Sequence, residues 1–208
     1  MNKTIKLLML SDIFVITGFG LIDPILAIFI KENLVGGTIF AAGLASTLFL
    51  ITKSLIQLPF SKYVDSHDDK LKWLIIGTFL IALVPFIYIF TNHIKFIYLA
   101  QIIHGVASAL AYPTWLSLWS TNLDKKHEGF EWSLYSTLTG LGTAVTAVVG
   151  AVIAQYIGFK YTFGLVSLIS LIGCFILFGL EKKNAKSLEK IEEYQYHKKR
   201  KLIHKKHH

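Results

Sequence analysis

Three formally charged side chains, Asp12, Asp23 and Lys53, stand inside long apolar stretches of this chain. An ionisable group at bilayer depth costs about 2.5–3.5 kcal/mol on insertion scales, so each is expected either to bind or move something or to be neutralised by a partner. At 1.5 Å per helical residue, Asp12 lies roughly 9 Å into the first stretch, and Lys53 lies at similar depth in the second, which runs the other way. That spacing predicts an intramembrane Asp12–Lys53 pair, either structural or broken during a working cycle. Asp23 precedes Pro24 near the far end of the first stretch. His104 lies at comparable depth in the fourth, with Gln101 one turn away. A carboxylate and an imidazole placed there could hold a proton or a cationic solute. The blander alternatives are a carboxylate bonded to the kinked backbone and a histidine satisfied by a neighbouring helix. Tyr112 and Trp115, further along the fourth stretch, could line a cavity for an amphiphilic molecule.

The elements that must position these groups are six stretches, each long enough to cross a hydrocarbon core that needs about 20 apolar residues. They run over residues 7–30, 37–60, 73–91, 96–121, 132–157 and 161–180. All four prolines, Pro24, Pro59, Pro85 and Pro113, fall within them, which predicts kinked helices around a cavity rather than straight struts. The first stretch has no small-residue cleavage site and is expected to be retained. Composition agrees: of 208 residues, 53% are hydrophobic and only 16% charged, against about a quarter charged in soluble domains, and the mean hydropathy is +0.55. Cys174 is the only cysteine, which excludes a disulfide scaffold.

The net charge of +8 belongs to one end, since 10 of the 21 Lys and Arg residues follow Leu180. No nucleic-acid partner is expected. Residues 181–208 read as a basic tail, with a short amphipathic helix around Leu188 and Ile191 and then a basic cluster over 198–206 suited to anionic lipid. His204, His207 and His208 lack a closed ligand geometry, so neither metal nor cofactor is expected. Outside the stretches, basic residues divide seventeen to three between alternate connections, which predicts a multi-pass protein of the cell membrane with both termini cytoplasmic.

Four short motifs occur in order along the chain. They are Gly18 with Pro24-Ile25-Leu26-Ala27, then Ser61 to Lys70 with Asp65 between, then Ala100-Gln101 to Gly105, then Gly142, Thr146, Ala147, Gly150 and Ala151. Together they resemble the degenerate motifs of the major facilitator superfamily, the first and last being similar to its antiporter patterns. Ser61 stands where the family has glycine, Gln101 where it has arginine, and Ala147 where it has proline. The resemblance covers about residues 5–180. It implies an all-α membrane protein of six transmembrane helices, built as two inverted three-helix repeats and equal to one half of a major-facilitator-type fold. It also implies that Ser61, Asp65 and Lys70 form a cytoplasmic gate, and that the small residues of the fifth stretch (Gly142, Thr146, Ala147, Gly150, Ala151) form a half-to-half interface.

The function expected is secondary transport, with proton-coupled efflux of a small molecule by a homodimer of halves as its concrete form. The alternative is a non-transporting or partner-dependent membrane subunit derived from a carrier half. An enzyme is not expected, because no Gly-x-Ser-x-Gly or His-Glu-x-x-His string accompanies the membrane-depth serines.

Overall fold

The computed structural model describes residues 1–180, and all of its regular structure is helical. The helices are α1 (Lys3–Gly20), α2 (Leu26–Asn33), α3 (Ile39–Ser66), α4 (Lys70–Phe90), α5 (Ile94–Asn122), α6 (Glu128–Tyr156) and α7 (Phe159–Leu180). Five of them, α3 to α7, are long and apolar enough to cross a membrane. The tail expectations, lipid contact and histidine chemistry alike, lie outside the described residues.

The first predicted span departs from expectation because it is two helices rather than one. α1 carries Lys3, Lys6 and Asp12 and stops at Gly20, and residues 21–25 form a turn before α2 begins. Pro24 has no N–H to continue the ladder. The backbone stays paired through tighter bonds, from Ile22 N–H to the Phe19 carbonyl at 2.9 Å and from Ile25 N–H to the Ile22 carbonyl at 3.0 Å. Asp23 therefore sits on an interrupted helix. Pro59, Pro85 and Pro113, by contrast, are all carried inside α3, α4 and α5.

Side chains close three of the helix starts, that of α5 through His93 Nδ1, which accepts from Lys95 N–H at 3.2 Å. Asn2 Oδ1 accepts from Ile5 N–H and Thr38 Oγ1 from Ala41 N–H, each at 3.0 Å, satisfying donors that have no partner within the helix. α5 is the central element: thirteen of its 29 residues are buried, against four of 28 in α3 and three of 29 in α6. Close approach makes this possible, because lipid tails give little hydrophobic drive between helices and van der Waals packing must hold them. A Cβ on Gly77 of α4 would stand 2.7 Å from the Ala111 nitrogen of α5. One on Gly105 of α5 would stand 2.8 Å from the Phe49 carbonyl oxygen of α3.

Two buried clusters divide the molecule along its length. One gathers Ile22, Phe29, Val84, Tyr88, Ile97 and Phe163 at the end predicted to be outer. The other gathers Ile5, Leu8, Leu74, Trp115, Trp119 and Leu177 at the end predicted to be cytoplasmic. Candidate chemistry lies where the two clusters meet.

Candidate functional site

Two cavities flank that level. The inner one, about 350 Å³, is bounded by Asp12 of α1, Thr78 of α4, Ser108 and Trp115 of α5 and Tyr135 of α6. The outer one, about 610 Å³, is bounded by Ala27 and Ile30 of α2, Ser46 of α3, Tyr88 of α4 and Gln101 of α5. Four residues line both: Phe19, Asp23, Phe49 and His104. Three of the four form a stack. The His104 ring lies 4.9 Å from the Phe19 ring at 24° and 4.5 Å from the Phe49 ring at 30°. The imidazole is thus clasped between aromatic faces from α1 and α3, and the stack stands between the two cavities.

The interrupted helix carries Asp23 past this stack. Its backbone N–H bonds the Phe19 carbonyl at 3.0 Å, while its carboxylate is exposed and has no hydrogen-bond or ion-pair partner among the described residues. The blander expectation, a carboxylate bonded to the kinked backbone, is not what the chain forms. Gln101 is buried and donates to the Tyr88 hydroxyl at 3.1 Å, fixing the far wall of the outer cavity. Residues 101, 104 and 108, spaced three and four apart, all look into the two cavities from one face of α5.

Asp12 and Lys53 do not pair. The ion pairs among the described residues join the Met1 amino group to Asp124 at 2.5 Å and to Glu131 at 3.6 Å. The Tyr135 hydroxyl donates to Asp12 Oδ2. Lys53 Nζ instead lies 4.7 Å from the centroid of the Tyr112 ring and 6.0 Å from that of Phe49. The helices that carry them have different neighbours, since α1 packs on α6 while α3 packs on α5. Each therefore finds an aromatic partner on its own neighbour.

Tyr112 and Trp115 both line the inner cavity. Trp115 stacks on Trp119 at 4.9 Å, and Tyr135 stands 5.0 Å from Trp115, so the cavity wall continues into a packed aromatic cluster that Trp132 completes. Tyr112 is 46% exposed. Asp23, which also lines this cavity, is exposed as well.

The expected cytoplasmic gate is not assembled as a unit. Ser61 Oγ donates to its own helix at the Leu58 carbonyl, Asp65 is exposed, and Lys70 Nζ donates to Ser117 Oγ at 2.9 Å. The carboxylate that ties this end is Asp69, whose Oδ2 accepts from Tyr63 at 3.1 Å and Trp73 at 2.9 Å. The spacing 69, 70, 73 at the start of α4 held that signal, because Trp73 lies one turn after Asp69.

The small-residue motif of α6 also faces differently from expectation. A Cβ on Gly142 would stand 2.3 Å from Thr17 Cγ2, and one on Gly150 would stand 1.9 Å from the Leu21 carbonyl oxygen. Thr146 Oγ1 is 2.4 Å from where a Cβ on Gly20 would be. These three positions let α6 approach α1 inside the chain. Ala147 is half-buried, and Ala151 is exposed.

Reasoning from the sequence missed Phe19, Phe49, Tyr88 and Tyr135. All are aromatic residues in apolar runs, and periodicity alone cannot separate them from ordinary core. No curated protein matches the chain. The sequence profile of the Major Facilitator Superfamily matches residues 8–207, nearly the whole length, and covers both cavities and the stack between them. The chain belongs to the major facilitator superfamily and is a multi-pass membrane transporter of that family.

Proposed function

We propose that the chain is a proton-coupled secondary carrier that exports a small molecule, with two copies supplying the two halves of the pathway in the cell membrane and both termini cytoplasmic. The observation that carries this reading is the pair of cavities meeting at Asp23 and divided by the Phe19–His104–Phe49 stack. A solute confined to one cavity must pass that stack to reach the other. The carboxylate common to both is placed to exchange its proton with either side. The five residues expected to line a transport cavity support the reading by position, since Asp23, Gln101, His104, Tyr112 and Trp115 line one cavity or both; Asp12, expected in an ion pair, lines the inner one.

Pairing of copies is supported by the exposure of Asp23 and Tyr112 at the inner cavity and of apolar residues on α3 and α6. Leu50, Leu55 and Leu58 on α3 and Val145, Val148 and Val152 on α6 are all at least half exposed. An alternating-access route needs walls on both sides. The test is transport in proteoliposomes carrying an imposed pH gradient, alongside the oligomeric state in nanodiscs. Solute flux that follows the gradient, from a dimer, is the expected result. A monomer that moves nothing would favour the partner-dependent subunit instead.

A further inference from the structure

We infer that the inner cavity is a binding site for a small organic monocation, its charge set against Asp12 and its carbon skeleton against Trp115 and Tyr112. The inference rests on the carrier reading for its role, but the binding can be measured without transport. Four observations lead to it. Two carboxylates, Asp12 and Asp23, line the cavity, and no lysine or arginine is among the described residues that do. Asp12 is held in place by the Tyr135 hydroxyl rather than neutralised by an ion pair. A carboxylate so positioned is pre-organised for a cation and leaves it a lone-pair face.

The third observation is that the Tyr112 ring at this wall holds a cation, here Lys53 itself, whose place a bound monocation would take. Lys53, with no carboxylate partner among the described residues, places its ammonium 4.7 Å from the Tyr112 ring centroid. A cation over an aromatic face gains about 0.5–1 kcal/mol when exposed and about 2 or more when desolvated. Tyr112 presents its ring at the cavity mouth, with Trp115 deeper. The fourth is size: about 350 Å³ is at the lower end of ligand cavities, which run from about 300 to 1,000 Å³. An anion would meet two carboxylates, and a neutral molecule would leave Asp12 without a counter-charge.

Benzyltrimethylammonium is a suitable probe because its charge is permanent, and neopentylbenzene has the same shape without the charge. Three of the four tryptophans, Trp115, Trp119 and Trp132, belong to the cluster behind the cavity, so intrinsic fluorescence of the full chain in nanodiscs reports occupancy. The expected result is saturable quenching by the cation, at least about tenfold tighter than any effect of the neutral isostere. Asp12→Asn should weaken it by about tenfold or more and Asp12→Glu by far less, a difference of one charge in a partly desolvated site. Equal binding of the two isosteres by the unaltered protein would overturn the inference and requires no variant to fold. So would an Asp12→Asn protein that keeps the thermal unfolding of the parent and its full cation affinity. Cation binding without any transport would instead leave this site standing and remove the carrier reading. Transport of another solute with no cation binding would do the reverse.

Discussion

Asp12 and Asp23 are the same residue type eleven positions apart in sequence; both line the inner cavity, but their partners, backbone and exposure differ. Asp12 lies in the regular part of α1, half-buried, pinned by Tyr135 and backed by a packed aromatic cluster. Asp23 lies in the turn between α1 and α2, exposed, with no hydrogen-bond or ion-pair partner among the described residues, and is shared by both cavities. A fixed carboxylate suits holding a solute, and a free one on an interrupted helix suits gaining and losing a proton as the segment moves. The comparison assigns binding to one residue and coupling to the other.

Four substitutions break or sharpen that division. Asp23→Asn removes the group open to both sides and should lower pH-driven flux in proteoliposomes about a hundredfold or more, while weakening cation affinity by less than Asp12→Asn does. His104→Ala opens the stack between the cavities. It should make solute flux about tenfold less dependent on the imposed gradient, measured as leak without it. Tyr135→Phe deletes the hydroxyl on Asp12 and should weaken cation binding severalfold, on the order of one charge-assisted hydrogen bond, seen in fluorescence titration. Lys53→Met gives the smallest effect and the most diagnostic sign. If Lys53 neutralised Asp12, its loss would destabilise the protein, whereas here it frees Tyr112 and lifts a like charge, so affinity should rise by about twofold.

The lengthwise organisation of the molecule was legible from composition. Hydropathy located α3 to α7 to within a few residues at most boundaries, because a span must satisfy the thickness of the bilayer and its own hydrogen bonds. Depth was legible only in part: the Lys53 backbone packs against Gly105, beside His104, and only its ammonium reaches along α5 to Tyr112. Azimuth was not legible. The face on which a side chain points depends on which helices pack together, so Asp12 found Tyr135 of α6 and Lys53 found Tyr112 of α5. The same gap explains Gly142 and Gly150, whose spacing correctly signalled a close helix contact while leaving its partner, α1, unspecified. The break after Gly20 was half legible: Pro24 announced a kink, but not that a five-residue turn over residues 21–25 would make two helices of the segment.

Exchange and gradient-driven uptake, measured side by side on Asp23→Asn protein in proteoliposomes, test the division most directly. Equilibrium exchange of labelled benzyltrimethylammonium needs binding and passage but no net proton movement, whereas uphill uptake needs both. The account predicts that exchange persists within about threefold of the parent while uphill uptake is lost. Loss of both to the same extent, or retention of both, would contradict it.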